Sequence, residues 1–234
     1  MAESPELPLN DEELRAFRTW MAERNRKRRI IVGISGASAP ILGVRTLEVL
    51  ARQPNVETHL IVSEGAKEVM HYEMGWSATD IGRFLELADV VYDNKDMAAS
   101  ISSGSFLTDG MIVSPCSMKT LADIAQSRDE SLIARAAICC LKEGRHVVLV
   151  PRETPATLSY LRNLVLAAEN GVRILLPVPA TYHGPQSIDD VMNHIVQKTI
   201  DQFGIEANLF RRWHSPAAEV PTTDGTLGAP VAGS

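Results

Sequence analysis

The sequence predicts an α/β protein of three layers, α/β/α, with a mostly parallel sheet and an N-terminal helical extension. Three observations carry this. Short apolar runs at 30–34, 56–62, 90–92, 111–113, 147–150 and 173–176 alternate with segments of helical period, the order of a parallel sheet with crossover helices. The first run, Ile30, Ile31, Val32 and Ile34, is continuous rather than alternating, as in a strand covered on both faces. The unusual polar residues follow the runs directly: GISGAS, Ser63, SPCSMKT, PRETP and PATYH. In open parallel sheets, ligands bind beyond the carboxyl ends of the strands.

Taken in order, Asn10 with Glu13 reads as a capping box, and Leu14, Phe17, Trp20 and Met21 repeat at helical spacing through Arg24. The basic run RNRKRR, Arg24 to Arg29, reads as the solvated cationic end of that helix. After the first strand, Gly33, Gly36 and their small neighbours permit close backbone approach, and Pro40 suits the first helical position. The N–H groups of that helix start, with the hydroxyls of Ser35 and Ser38, form an expected anion seat. Helices follow at 41–52, 66–74, 77–88, 118–127, 130–142, 157–170 and from Ser187 to Phe203, with Gly171 as a C-terminal cap. Residues 96–108 are rich in hydroxyls and too regular for a linker. Residues 1–9 and the Pro/Gly/Ala/Thr-rich tail read as disordered.

With 234 residues and 45% hydrophobic content the chain can bury one large core. A net charge of −6 argues against a nucleic-acid surface. The first thirty residues lack the apolar segment of a leader, no run suits a bilayer span, and three cysteines form neither a disulfide framework nor a metal spacing. These features predict a cytoplasmic protein without membrane or nucleic-acid partners and without a metal. Generic motifs fail. A dinucleotide fingerprint would need a third glycine where Ala39 stands and an acid where Ser63 stands. The hydrolase elbow breaks at Ala37, and no Walker A sequence occurs.

GISGAS, ASISSGSF, SPCSMKT, LIARAA, LKEG, PRETP, PATYHGPQS and DQFGI, taken together, closely resemble the UbiX-type flavin prenyltransferases, a group of Rossmann-like (flavodoxin-like) flavoproteins. The resemblance spans about residues 29–213. It gives an N-terminal extension over 1–28, a single flavin-binding α/β domain over 29–213 and a disordered tail over 214–234. It implies transfer of a dimethylallyl group from dimethylallyl phosphate to N5 and C6 of reduced FMN. The product, prenylated FMN, would serve a UbiD-type decarboxylase. It further implies a homo-oligomer, usually a dodecamer, with sites between subunits.

By the same resemblance Gly36, Ala37, Ser38, Ser63, Cys116, Ser117, Met118, Lys119 and Arg152 contact FMN. Ser38, Glu73 and Glu153 are the catalytic candidates, Ser38 beside N5 and the two carboxylates in proton transfer. Arg135, Lys142, Tyr182, Lys198 and Trp213 would hold dimethylallyl phosphate. Such cations would stabilise the departing phosphate, and an aromatic face could stabilise an allyl cation. Plainer readings stand beside these: Cys116 as a small buried hydrophobe, Lys142 as a helix-surface charge, and Trp213 as an anchor for the C-terminus. The chain departs from the family pattern at Ala39-Pro40 in place of Gly-Ala, at Glu64 for Lys, at Ile138 for Asp, at Thr181 for an aromatic, and at Lys198, where Arg would offer a bidentate fork. These departures leave open an FMN- or prenylated-FMN-binding accessory subunit of a decarboxylase complex. The flavin-dependent cysteine decarboxylases are less favoured, because their Asn-containing signature is replaced by Pro115-Cys116-Ser117.

Overall fold

The computed structural model describes residues 10–24 and 26–213; the expectations for 1–9 and 214–234 lie outside them. Six strands form one sheet: β1 (Arg28–Ile34), β2 (Val56–Val62), β3 (Val90–Asp93), β4 (Gly110–Cys116), β5 (His146–Pro151) and β6 (Arg173–Ile174). All pairings are parallel, in the order β3-β2-β1-β4-β5-β6. This is the Rossmann variant of the doubly wound architecture, and its winding reverses between β1 and β4. The helices are α1 (Asp11–Arg24), α2 (Ile41–Ala51), α3 (Glu64–Met74), α4 (Ala78–Leu85), α5 (Met118–Ala125), α6 (Leu132–Lys142), α7 (Leu158–Glu169) and α8 (Ile188–Asp201). None among the described residues is long and apolar enough to cross a membrane.

Period-two alternation divides the core. Ile30, Val32, Ile34, Leu60 and Ile112 face the layer of α2, α3, α4 and α8. Ile31, Ile61, Met111, Val113 and Leu149 face α5, α6 and α7. Each fully buried aliphatic side chain stabilises the fold by about 1.5–3 kcal/mol relative to exposure. The central strands are therefore apolar on both sides, and β1 has the burial expected of its sequence.

Two sequence expectations need correction. Pro40 occupies the N-cap of α2 rather than its first helical position, with φ −59°, and its carbonyl accepts from the N–H groups of Gly43 and Val44. The basic run is not simply the end of α1. Arg28 and Arg29 belong to β1, Arg29 pairs with Glu57 at 3.0 Å, and Arg26 and Arg28 approach Asp109. The Asn10–Glu13 capping pair is formed in both directions.

Gly43 sets how closely α2 lies on the sheet. A Cβ there would sit 2.1 Å from the Ser114 carbonyl oxygen and 2.9 Å from the Ile34 side chain. At the other end of the chain, the segment after α8 folds back along it. The Leu209 N–H donates to Gln197 Oε1 at 3.2 Å, and Arg212 forks onto Asp201 at 2.9 and 2.6 Å. Burial raises the Asp201 carboxyl, but hydrogen bonds from Arg212 and Gln197 outweigh it and hold the pKa below the ordinary carboxylate value.

Gly43→Ala should lower stability by about 2–3 kcal/mol in urea unfolding, although alanine is the better helix former. Arg212→Met should speed hydrogen exchange at the Leu209 amide several-fold at pH 7. A depressed carboxylate stabilises only while ionised, so wild type and variant should converge as the pH falls below about 4.

Candidate active site

At the point where the winding reverses, β1 and β4 end side by side and Ser35 joins them. Its hydroxyl donates to the Pro115 carbonyl at 3.1 Å and accepts from the Ser117 N–H at 2.7 Å. Ser35 is 2% exposed, so its hydroxyl is consumed in structure and is not part of the anion seat expected from the sequence. Gly36 projects over this junction. A Cβ on it would lie 3.1–3.3 Å from the Gly65 backbone, so a side chain there would push the first loop and the start of α3 apart by a few tenths of an ångström.

The result is a crevice of about 450 Å³ lined by residues from four strand ends, including Gly36, Ser63, Lys95, Ser117, Lys119 and Ser131. Three of these serines are helix N-caps. Ser63 accepts from the Ala66 N–H at 3.1 Å, Ser117 from Thr120 at 3.3 Å, and Ser131 from Ala134 at 3.3 Å. The positive ends of α3, α5 and α6 therefore face one volume, an arrangement that favours a bound anion. Volume and lining suit a cofactor-sized ligand with a phosphate. A larger hollow of about 690 Å³ lies between α3 and α4, around Tyr72, Trp76 and Ile81. It contains no strand end and no predicted site residue, so its size does not mark the chemistry.

Of the predicted flavin contacts, Gly36, Ser63, Ser117 and Lys119 line the crevice. Gly36 is open and Ser38 and Ser63 are half-buried. Met118 packs into the core, and Lys119 lines the crevice while its Nζ donates to Asp123 at 2.7 Å. Cys116 is fully buried, and burial pushes its thiol pKa upward, away from nucleophilic character. Arg152 donates its N–H to the Cys116 carbonyl at 3.2 Å and leaves its side chain exposed, as does Glu153 next to it. Glu73 comes to the same turn as Ser38: its Oε2 accepts from the Ala39 N–H at 2.8 Å. Ala39 itself has φ +65°, a conformation that costs a side-chain-bearing residue about 1–2 kcal/mol.

The expected phosphate cluster divides. Tyr182, Lys198 and Trp213 gather around α8, with the Trp213 and Tyr182 ring centroids 5.8 Å apart. Arg135 lies on the opposite layer, paired with Asp129 at 2.6 Å and donating to the Ser102 carbonyl at 3.1 Å. Lys142 is the last residue of α6, beside Glu143 at 3.8 Å, at the end of the helix remote from its crevice-facing N-cap. A single chain does not bring Arg135 and Lys142 to Tyr182. Helix α6 packs on one face of the sheet and α8 on the other.

Sequence reasoning missed Asn94, Lys95 and Ser131. Asn94 fixes the start of α6, its carbonyl accepting from Leu132 at 2.8 Å and its Oδ1 from Ile133 at 3.1 Å. The signal available was Ser131 three residues before Ala134, a cap position hidden within an assumed helix.

The flavoprotein family model matches residues 20–200. Flavin prenyltransferase UbiX of Escherichia coli K12 is 50% identical over 188 residues, 80% of this chain and 98% of that protein. The structure of AnUbiX (PadA1) in complex with FMN and dimethylallyl pyrophosphate superposes with a TM-score of 0.77 at 43% identity, covering 82% of this chain and all (100%) of that one. The dodecameric FMN-dependent UbiX-like decarboxylase from Escherichia coli O157:H7 gives a TM-score of 0.76 at 47% identity, over 80% and 100% of the two chains. The chain belongs to the flavoprotein family and, within it, to the UbiX-type flavin prenyltransferases.

Proposed function

We propose that this protein transfers the dimethylallyl group of dimethylallyl phosphate to N5 and C6 of reduced FMN, making prenylated FMN for a UbiD-type decarboxylase in the cytoplasm. The observation that carries the reading is the convergence of three serine-capped helix starts on one crevice at the β1–β4 junction. That arrangement seats the FMN phosphate, with Ser63 and the first N–H groups of α3 as donors and Gly36 leaving room for the flavin.

Reduced flavin, when bound, supplies the two nucleophilic ring positions. The rest is performed by side chains. Ser38 and Glu73 lie at one turn, the carboxylate already held by the Ala39 N–H, so the pair can handle a proton beside the ring. Glu153, exposed at the end of β5, is placed for the second proton transfer, and the two carboxylates act as acid and base. Tyr182 and Lys198 bind the prenyl phosphate, where charge grows as the allylic bond breaks. Trp213 covers the allyl group with an aromatic face. Arg135 and Lys142 complete the phosphate cluster from another copy of the chain, which explains why they lie on the opposite layer. This requires an oligomer, and we take it to be a dodecamer like the dodecameric relative from Escherichia coli O157:H7.

Anaerobic incubation with reduced FMN and dimethylallyl phosphate should yield a flavin heavier by one prenyl group in mass spectrometry. Bound FMN with no mass increase would reject the transferase reading in favour of an accessory flavin-binding subunit. Glu153→Gln should abolish turnover, by at least about a hundredfold, while FMN still binds. Turnover at the wild-type rate would remove Glu153 from the proton transfers.

A further inference from the structure

Around Tyr182 the structure holds a group that the reaction above does not use. Tyr182 Oη lies 2.9 Å from His194 Nε2. His194 is 7% exposed, one helical turn before Lys198 on α8, and its ring packs on Phe210 with centroids 4.6 Å apart. His183 stacks on it at 4.9 Å with an interplanar angle of 6°, and the His183 and Phe210 rings also touch each other at 5.5 Å. The imidazole is thus packed against two neighbouring rings.

We propose that His194 is a positioning residue for the prenyl phosphate: its Nε2–H donates to Tyr182 Oη and turns the phenolic O–H outward toward the phosphate. This rests on the proposed role of Tyr182 in binding that phosphate.

The direction of the hydrogen bond follows from the unpaired atoms. His194 Nδ1 is buried and has no hydrogen-bond partner among the described residues. Burial, then His183 and Lys198, lowers the basicity of His194, so the ring is neutral and carries one N–H. A buried N–H without an acceptor is rarer and costlier than a buried lone pair without a donor. The proton therefore sits on Nε2, where Tyr182 satisfies it. Tyr182 then accepts from His194 and keeps its own proton to donate. With the opposite tautomer, Tyr182 would spend its proton on His194 and meet a phosphate oxygen with lone pairs alone. Tyr182 is 41% exposed, so its hydroxyl can reach a ligand while His194 cannot. His194 acts only through Tyr182.

The test uses the full chain loaded with FMN, in wild type, His194→Phe, His194→Gln, Tyr182→Phe and the double variant. His194→Phe keeps a ring packed against His183 and Phe210 but loses the donor, and should raise KM for dimethylallyl phosphate about tenfold, the loss of one hydrogen bond, with FMN affinity unchanged. His194→Gln restores a side-chain N–H and should recover most of that KM. The double variant should be no worse than Tyr182→Phe alone, since both remove one interaction. An unchanged KM in His194→Phe, a glutamine variant as impaired as phenylalanine, or additive losses would overturn the proposal. If His194→Phe does not fold, the 15N shifts of histidine in the wild-type protein decide: an Nε2–H ring on His194 is expected, and an Nδ1–H ring overturns it. A wild-type protein that makes no prenylated flavin overturns the role of Tyr182, and this inference falls with it.

Discussion

One hydroxyl holds the architecture at its turning point. Ser35, at the end of β1, donates to the Pro115 carbonyl and accepts from the Ser117 N–H, tying the two strands between which the winding reverses. The strands are already paired in the sheet, and the Ser35 N–H donates to the same Pro115 carbonyl at 3.2 Å; the hydroxyl extends that pairing to Ser117, where the chain leaves β4. The tie also places Ser117 at the start of α5, so one buried serine positions both a strand end and a helix dipole. Gly43 and Gly36 are the steric counterpart. They let α2 approach β4 and the first loop approach α3 closely enough for the crevice to have walls.

In the proposed site the phosphate is held chiefly by backbone groups, with Lys95 and Lys119 lining the same crevice. The sequence lacks the lysine expected after Ser63, and Glu64 there pairs with Lys67 at 2.8 Å. The three helix starts compensate with N–H groups and serine hydroxyls that are fixed by the fold. Such donors lose little entropy when the ligand binds. The proposed prenyl-phosphate side differs, since its long side chains lie on two layers and one chain would supply only half of it. A symmetric assembly supplies the other half, which makes oligomerisation a requirement of the chemistry in this account.

The layer pattern was legible because β-branched runs and helical periods are local signals; Ile30 to Ile34 and Val56 to Val62 read as core strands directly. The roles of Ser38 and Glu73 came from resemblance, and the structure adds that they share a turn. Three things were not legible. Ser35 looked like a ligand group because its sequence neighbours do, whereas its actual partner is 80 residues away. Gly43 carries no local signal within its helix, because the carbonyl it avoids belongs to Ser114. His194 was not singled out in the sequence, because nothing local points to Tyr182, twelve residues back across a loop. Each depends on contact between segments distant in the chain, which composition and period do not carry.

If the β1–β4 crevice is a flavin site, its affinity comes chiefly from a phosphate held by the starts of α3, α5 and α6. Parallel equilibrium titrations with FMN and with riboflavin, followed by quenching of flavin fluorescence, test this directly. The account predicts that FMN binds about a hundredfold more tightly, or better, since the charge-assisted hydrogen bonds to the phosphate are lost with riboflavin. Equal affinity for the two flavins would contradict it.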